Sequence, residues 1–162
     1  MGIAASIKCY LDEQGLPYET VRHRRVLTGG DEARALGVAP AQVAKTLLVR
    51  SRGADALVVL PASVRVDMHK LRDVLGDNHA RLASEGEMQA EMAGFELGAV
   101  PPLGELIGAR VYLDEKLEQM DEVVFSGGTH QDSVKMSGQD FIKLIHPRVA
   151  DLALEPGAEL LY

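Results

Sequence analysis

Sulfur and large aromatic rings are nearly missing from this chain. One cysteine, Cys9, stands in 162 residues, which excludes an internal disulfide and any cysteine-rich zinc site. There is no Trp, and only three Phe and four Tyr, too few for a sheet of stacking platforms that would hold single-stranded nucleic acid. No apolar run reaches the roughly 18 residues of a membrane span. Met1–Leu11 carries Lys8 and no long apolar core, so no signal peptide is expected and a cytoplasmic protein is the default. Also missing are a GxGxxG turn, a P-loop and a serine nucleophile elbow. No histidine pair has the H-x-x-x-H spacing of a metal site, and no carboxylate pair suggests acid–base work.

What is present is ordinary for a soluble globular protein: 46% hydrophobic and 25% charged residues. The length suits one domain, residues 1–162, able to bury roughly 70% of its unfolded surface. The net charge is −7 but uneven, with 12 Lys/Arg against 9 Asp/Glu in residues 1–81 and 5 against 15 in residues 82–162. An acidic chain does not wrap long nucleic acid. The basic half, with Arg22, Arg24, Arg25, Lys45, Arg65 and Lys70 among its cations, can still hold the end of a strand.

Helix punctuation is clear. A first helix spans 3–14 and stops at Gly15; Thr28 caps a short one through Asp31–Leu36 to Gly37; Asp67 caps another closed by Gly76. Ser84-Glu85-Gly86-Glu87 is a capping box opening a helix to Ala93, and Ser137 caps a last one through Leu144. Tyr18–His23, Ala80–Ala83, Arg110–Leu113 and Glu122–Phe125 read as strands, with Ser126–His130 as a hairpin tip and Ser133–Met136 returning. Residues 44–51 and 55–60, β-branched and apolar around Arg52-Gly53-Ala54, read as a hairpin at a sheet centre. The sum is an α+β domain around one curved, mixed β-sheet with flanking helices.

Three segments break these patterns. In Val43-Ala44-Lys45-Thr46-Leu47-Leu48-Val49 a lysine interrupts a buried-strand pattern. Burying an ammonium is costly, while a cation at a strand start suits a phosphate or a developing oxyanion. A snorkelling stem is the bland alternative. Gly98-Ala99-Val100-Pro101-Pro102-Leu103-Gly104 is a loop stiffened by consecutive prolines and freed at Gly98 for close backbone approach. It can align a small substrate or a water, or simply connect. Ser126-Gly127-Gly128-Thr129-His130 offers hydroxyls and an imidazole around a pocket, with His130 a candidate general base; as a turn it needs no function. His23, His69, His79 and His146 are weaker candidates.

Taken in order and spacing, these three segments resemble the YbaK/prolyl-tRNA-synthetase-associated domain family of aminoacyl-tRNA deacylases. Gly98 and Pro102 fall at the fixed positions of the family's G-x-x-x-P loop. Val66–Leu71 and Gly94–Gly98 add support, and the similarity spans about Tyr18 to Leu144. The resemblance implies a mixed sheet partly closed like a barrel, and hydrolysis of the ester joining a wrong amino acid to tRNA, commonly tRNA(Pro). It implies no metal and no organic cofactor. It also implies a catalytic Lys45 and a substrate pocket drawn from Thr46, the loop Gly98, Ala99, Val100, Pro101 and Pro102, and Ser126, Gly127, Gly128, Thr129 and His130. The implied partners are the tRNA acceptor end and, optionally, prolyl-tRNA synthetase; no membrane is involved.

On this reading Lys45 anchors the terminal adenosine's phosphate or ribose, while Gly98–Pro102 orients the α-amino group and a water. A free ribose hydroxyl assists. The alanyl-specific branch carries Asn after the lysine. Thr46 instead resembles the cysteinyl-type and broader branches, leaving Cys, Ser, Thr and Ala as candidate aminoacyl groups. Val100 and Pro101 replace the Cys-Ser or Val-Ser pairs common inside the loop and make it more apolar. The alternative readings are a non-catalytic aminoacyl-tRNA or translation-factor binding module of the same fold, and a hydrolase of other activated esters.

Overall fold

The computed structural model describes residues 2–155, so the expected 1–162 unit reaches past them at both ends. Among the described residues six α-helices and eight strands follow in chain order: α1 (Ala5–Gln14), β1 (Glu19–Arg22), α2 (Gly29–Leu36), β2 (Val43–Arg50), β3 (Ala56–Pro61), α3 (Met68–Leu75), β4 (Arg81–Leu82), α4 (Glu85–Glu91), β5 (Arg110–Asp114), α5 (Glu115–Glu118), β6 (Glu122–Thr129), β7 (Asp132–Ser137), α6 (Gly138–Ile145) and β8 (Arg148–Ala150). The strands form one mixed sheet in the order β1-β7-β6-β2-β3-β5-β8, with β4 pairing β2 off this path. Among the described residues no helix is long and apolar enough to cross a membrane.

The expected central hairpin is the β2/β3 pair, antiparallel from Ala44 opposite Pro61 to Val49 opposite Ala56. Every residue of β3 is buried, because helices and loops cover both faces of the sheet there. Its alternation feeds two cores. Leu57 and Val59 join the larger cluster with Leu48, Phe125 and Phe141; Val58 and Leu60 join the other with Leu71, Ala80 and Leu152. Each fully buried Leu or Phe of these clusters contributes about 1.5–3 kcal/mol. The caps read from the sequence are made: Thr28 Oγ accepts from Asp31 N–H, Asp67 from His69 and Lys70, and Ser84 with Glu87 closes a capping box.

Several features depart from the sequence reading. Ser126–Thr129 is not the hairpin tip; β6 runs through Thr129 and the turn is His130-Gln131. The glycine pair instead sits in a β-bulge, where the β6/β7 register shifts between Ser126 and Thr129. A Cβ on Gly127 would come within 2.5 Å of Ile3, and Gly128 adopts φ 93° beside Ala4. Both glycines therefore let the segment entering α1 lie on the strand, where Ala4 N–H donates to the Gly127 carbonyl at 2.8 Å. Neither α5 nor β8 was expected. Both are very short, and β8 pairs in parallel with β5, a long-range choice that local pattern does not encode. The α4 helix also stops at Glu91 rather than Ala93.

Candidate functional site

The sheet opens at its centre. Strands β2 and β6 run in parallel but pair at only two positions, Val43 with Val124 and Ala44 with Phe125. Beyond these the strands separate, and Lys45 and Ser126 stand at the fork. A cavity of about 280 Å³ fills the gap, lined from β2 by Ala44–Leu47, from β6 by Ser126 and Thr129, and from the proline loop by Gly98 and Val100. The start of α2 and the segment before it, with Thr28, Gly29 and Glu32, close another side, and Met88 of α4 a third.

Lys45 is half-buried, and its Nζ donates to the Val64 carbonyl in the turn after β3. Burial, and to a smaller extent Arg65, push its ammonium below the ordinary 10.5. A carbonyl fixes the position of the ammonium without neutralising it, so a net positive charge faces the cavity. Thr46 lines the same wall, and its buried Oγ1 has no hydrogen-bond partner. A buried hydroxyl without a partner is costly to the fold.

The other expected site residues divide. Ala99, Pro101 and Pro102 are buried and do not line the cavity; the loop presents Gly98, at φ 86°, and Val100. Gly127 and Gly128 are also absent from the lining and serve the α1 contact described above. Thr129 lines the cavity, but its hydroxyl donates to Asp132 at 2.5 Å and accepts from Gln131 N–H, both inside the turn. His130 Nε2 donates to the Leu97 carbonyl at 2.6 Å. Its Nδ1 makes no hydrogen bond, although Glu96 Oε2 lies 2.8 Å away. Both ring nitrogens thus face the 96–98 segment, so the imidazole acts as a strut that fixes the loop at Gly98. Nε2 is occupied by the Leu97 carbonyl and Nδ1 is buried beside the Glu96 carboxylate, so the ring's contacts are with the loop.

The model of the aminoacyl-tRNA editing domain matches residues 23–144. The chain belongs to that family. It is 27% identical over 146 residues to the Escherichia coli protein named multifunctional Ser/Thr-tRNA deacylase ProXp-y, covering 87% of each chain. It is 29% identical over 157 residues to a proline–tRNA ligase of Dehalococcoides mccartyi, covering 91% of this chain but 26% of the ligase. A solved structure described as a candidate trans-editing enzyme for prolyl-tRNA synthetase superposes with TM-score 0.85 at 27% identity, covering 93% of this chain and 96% of that one.

This editing domain also has a polar wall that the sequence reading missed. Glu32, 5% exposed on α2, is hydrogen-bonded through Oε2 to Ser133 Oγ of β7. His23 Nε2 lies 2.8 Å from the same Oγ, and its Nδ1 lies 2.7 Å from the Arg24 carbonyl. Glu32 and His23 both line the cavity. Burial raises the Glu32 carboxyl above the ordinary carboxylate range, against smaller opposing effects from Ser133, His23 and Ser126. The available signal was periodicity: Glu32 lies four residues before Leu36, on the helix face that packs inward.

Proposed function

We propose that this chain hydrolyses the ester bond of mischarged aminoacyl-tRNA, releasing a small non-cognate amino acid from the tRNA acceptor end. The observation that carries this reading is the position of Lys45: a half-buried, un-neutralised ammonium at the mouth of a cavity cut into the centre of the sheet. The cavity lies at the small end of ligand-site volumes, a size suited to one small aminoacyl group and the edge of a ribose.

An aminoacyl ester is already activated, so no strong protein nucleophile is required. A water adds to the acyl carbon, the carbonyl oxygen takes up negative charge, and the bond to the ribose oxygen then breaks as that oxygen gains a proton. Lys45 holds the terminal phosphate or ribose and supplies positive charge to the developing oxyanion. The stiff Gly98–Pro102 loop, anchored by His130, holds the ester in register with the water. A neighbouring ribose hydroxyl carries part of the proton transfer.

The side-chain pocket favours seryl and threonyl groups. Met88, Leu97 and Val100 give an apolar surround, and the partnerless Thr46 hydroxyl offers one hydrogen bond to a substrate hydroxyl. The name of the Escherichia coli relative supports the same choice, and the ligase relatives support tRNA(Pro) as the carrier and prolyl-tRNA synthetase as a partner. A cytoplasmic location follows from that role. The test is deacylation of tRNA(Pro) charged in turn with Ala, Cys, Ser, Thr and Pro, by wild type and Lys45→Ala. Selective release that depends on Lys45 is expected. Release no faster than the spontaneous rate, from a folded protein, would overturn the enzymatic reading in favour of a binding module.

A further inference from the structure

The hydrogen bonds of the polar wall allow two arrangements of its protons with no net charge. The Arg24 carbonyl can only accept, so His23 Nδ1 carries a hydrogen. Ser133 Oγ has one proton and stands between His23 Nε2 and Glu32 Oε2. If Ser133 donates to Glu32, Nε2 must donate to Oγ, and the ends are imidazolium and carboxylate. If Ser133 donates to Nε2, Glu32 must donate to Oγ, and the ends are neutral imidazole and carboxylic acid. Both arrangements contain the same protons and zero net charge. They differ only in which end of the chain holds the shared proton, and Ser133 can pass it between them.

This chain ends at the cavity. One Glu32 oxygen is anchored by Ser133, the Ser126 hydroxyl stands beside the same carboxyl, and Glu32 and Ser126 both form part of the lining. The aminoacyl group brings one positive charge, its α-ammonium, into a cavity that already holds Lys45. The lining offers two carboxyls, Glu32 and Glu85, and Glu85 is exposed in the first turn of α4. The proline loop offers only neutral backbone, and two of its neighbouring carbonyls are taken: Leu97 by His130, and Glu96 by Ala99 N–H.

We propose that Glu32 is the residue that binds the substrate's α-ammonium, and that the Ser133–His23 pair makes its charge available on demand by drawing the shared proton from Glu32 to His23 when the ammonium enters. This assignment rests on the aminoacyl-ester reading above and moves the ammonium contact from the proline loop to α2. Burial favours the protonated carboxyl in the empty cavity, which spares the unliganded protein a naked buried charge. Ligand binding then restores the carboxylate with no net proton uptake. Glu32 is a binding residue; Ser133 and His23 are positioning residues.

The experiment uses two amide-linked probes that cannot be hydrolysed, 3′-deoxy-3′-(L-serylamido)adenosine and its L-glyceryl counterpart, in which a hydroxyl replaces the ammonium. Wild type, Glu32→Gln and Ser133→Ala are titrated with each, after thermal melts confirm folding. Wild type is expected to prefer the seryl probe by roughly 30-fold or more, the scale of losing one partner of a buried charge pair. Glu32→Gln should bring that ratio near one without weakening the glyceryl probe, and Ser133→Ala should lower it partway. The His23 ring carbons should move toward imidazolium shifts on addition of the seryl probe to wild type. Equal weakening of both probes by Glu32→Gln, an unchanged ratio, or no binding of either probe to wild type would overturn the proposal. Wild type that shows the preference but deacylates no tRNA would instead overturn the catalytic reading alone.

Discussion

Replacing Lys45 with methionine should separate the fold from the function. Methionine keeps most of the stem's apolar contact and removes the charge. On the folded side, one term is lost and two are gained. The Val64 carbonyl loses its donor, at a cost of about 1 kcal/mol for a typical hydrogen bond and up to about 3 if the carbonyl is left dry. The variant no longer holds an ammonium that burial and Arg65 disfavour. With the cavity open to water, these terms nearly cancel, so the net change should lie within about 1 kcal/mol, or roughly 2–4 °C in Tm for a chain of this size. On the catalytic side, removing one preorganised group that stabilises an oxyanion costs about 10²–10³ in kcat.

The assay pairs kcat/KM on mischarged tRNA with a thermal melt of the same preparation. The sign of the linkage adds a third reading. A lysine whose folded value lies below 10.5 costs stability while it is charged in the folded state, and that cost fades as pH rises through the folded value toward 10.5. Lys45→Met should therefore gain on wild type at neutral pH and lose that advantage in alkali. Two results would refute this reasoning. Retention of more than about a tenth of wild-type activity would remove Lys45 from the chemistry. A loss of about 3 kcal/mol or more would make the ammonium–Val64 contact a structural bond.

Other expectations follow from single contacts. Thr46→Val should leave stability equal or higher by up to about 1 kcal/mol, because the buried Oγ1 has no partner, yet it should reduce discrimination of seryl- over alanyl-tRNA; a clear loss in a urea melt, or unchanged discrimination, counts against the pocket. Glu32→Gln removes a carboxyl whose folded value is raised above 4.5. In the wild type that raised value costs stability increasingly as pH climbs from 4.5 through the folded value, so denaturant melts between about pH 4 and 7 should show the variant gaining on wild type; a flat difference would exclude the shift. Gly138→Ala places a Cβ 1.8 Å from the Met120 carbonyl oxygen, and should cost about 2–3 kcal/mol in a urea melt without changing kcat per folded molecule.

The sheet's centre was legible because its cause is local. Residues 44–51 and 55–60 carry β-branched runs around a Gly-containing turn, and the two runs pair directly with each other. Helix ends were legible for the same reason: Thr28, Asp67, Ser84 and Ser137 each bond to a backbone amide within three residues. What escaped depended on distance along the chain. His23, Glu32 and Ser133 lie 9, 101 and 110 positions apart in pairs, and only the tertiary fold turns an isolated histidine, a helix glutamate and a strand serine into one chain of hydrogen bonds. The glycine pair at 127–128 was misread because Gly-Gly has two uses, a tight tip and a close approach, and the choice is made by Ile3 and Ala4.

The placement of the cavity follows from how β6 is built. A parallel strand that paired fully with β2 would close the sheet and leave Lys45 no space to face. Pairing stops after Ala44 and Phe125, and the β6 bulge between Ser126 and Thr129 follows directly. Bulges bend and twist a strand away from its neighbour, here toward α1, where the two glycines accept Ile3 and Ala4. The same bulge lets the Gly128 carbonyl accept from Glu96 N–H at 2.9 Å, which brings the proline loop to the fork. The N-terminal helix, far in sequence from any residue of the cavity wall on β6, is thus part of what holds the site open. The cation, the partnerless hydroxyl and the buried carboxyl all lie around this one interruption in the sheet. Each costs the fold something locally, and each becomes useful only where the strands have parted.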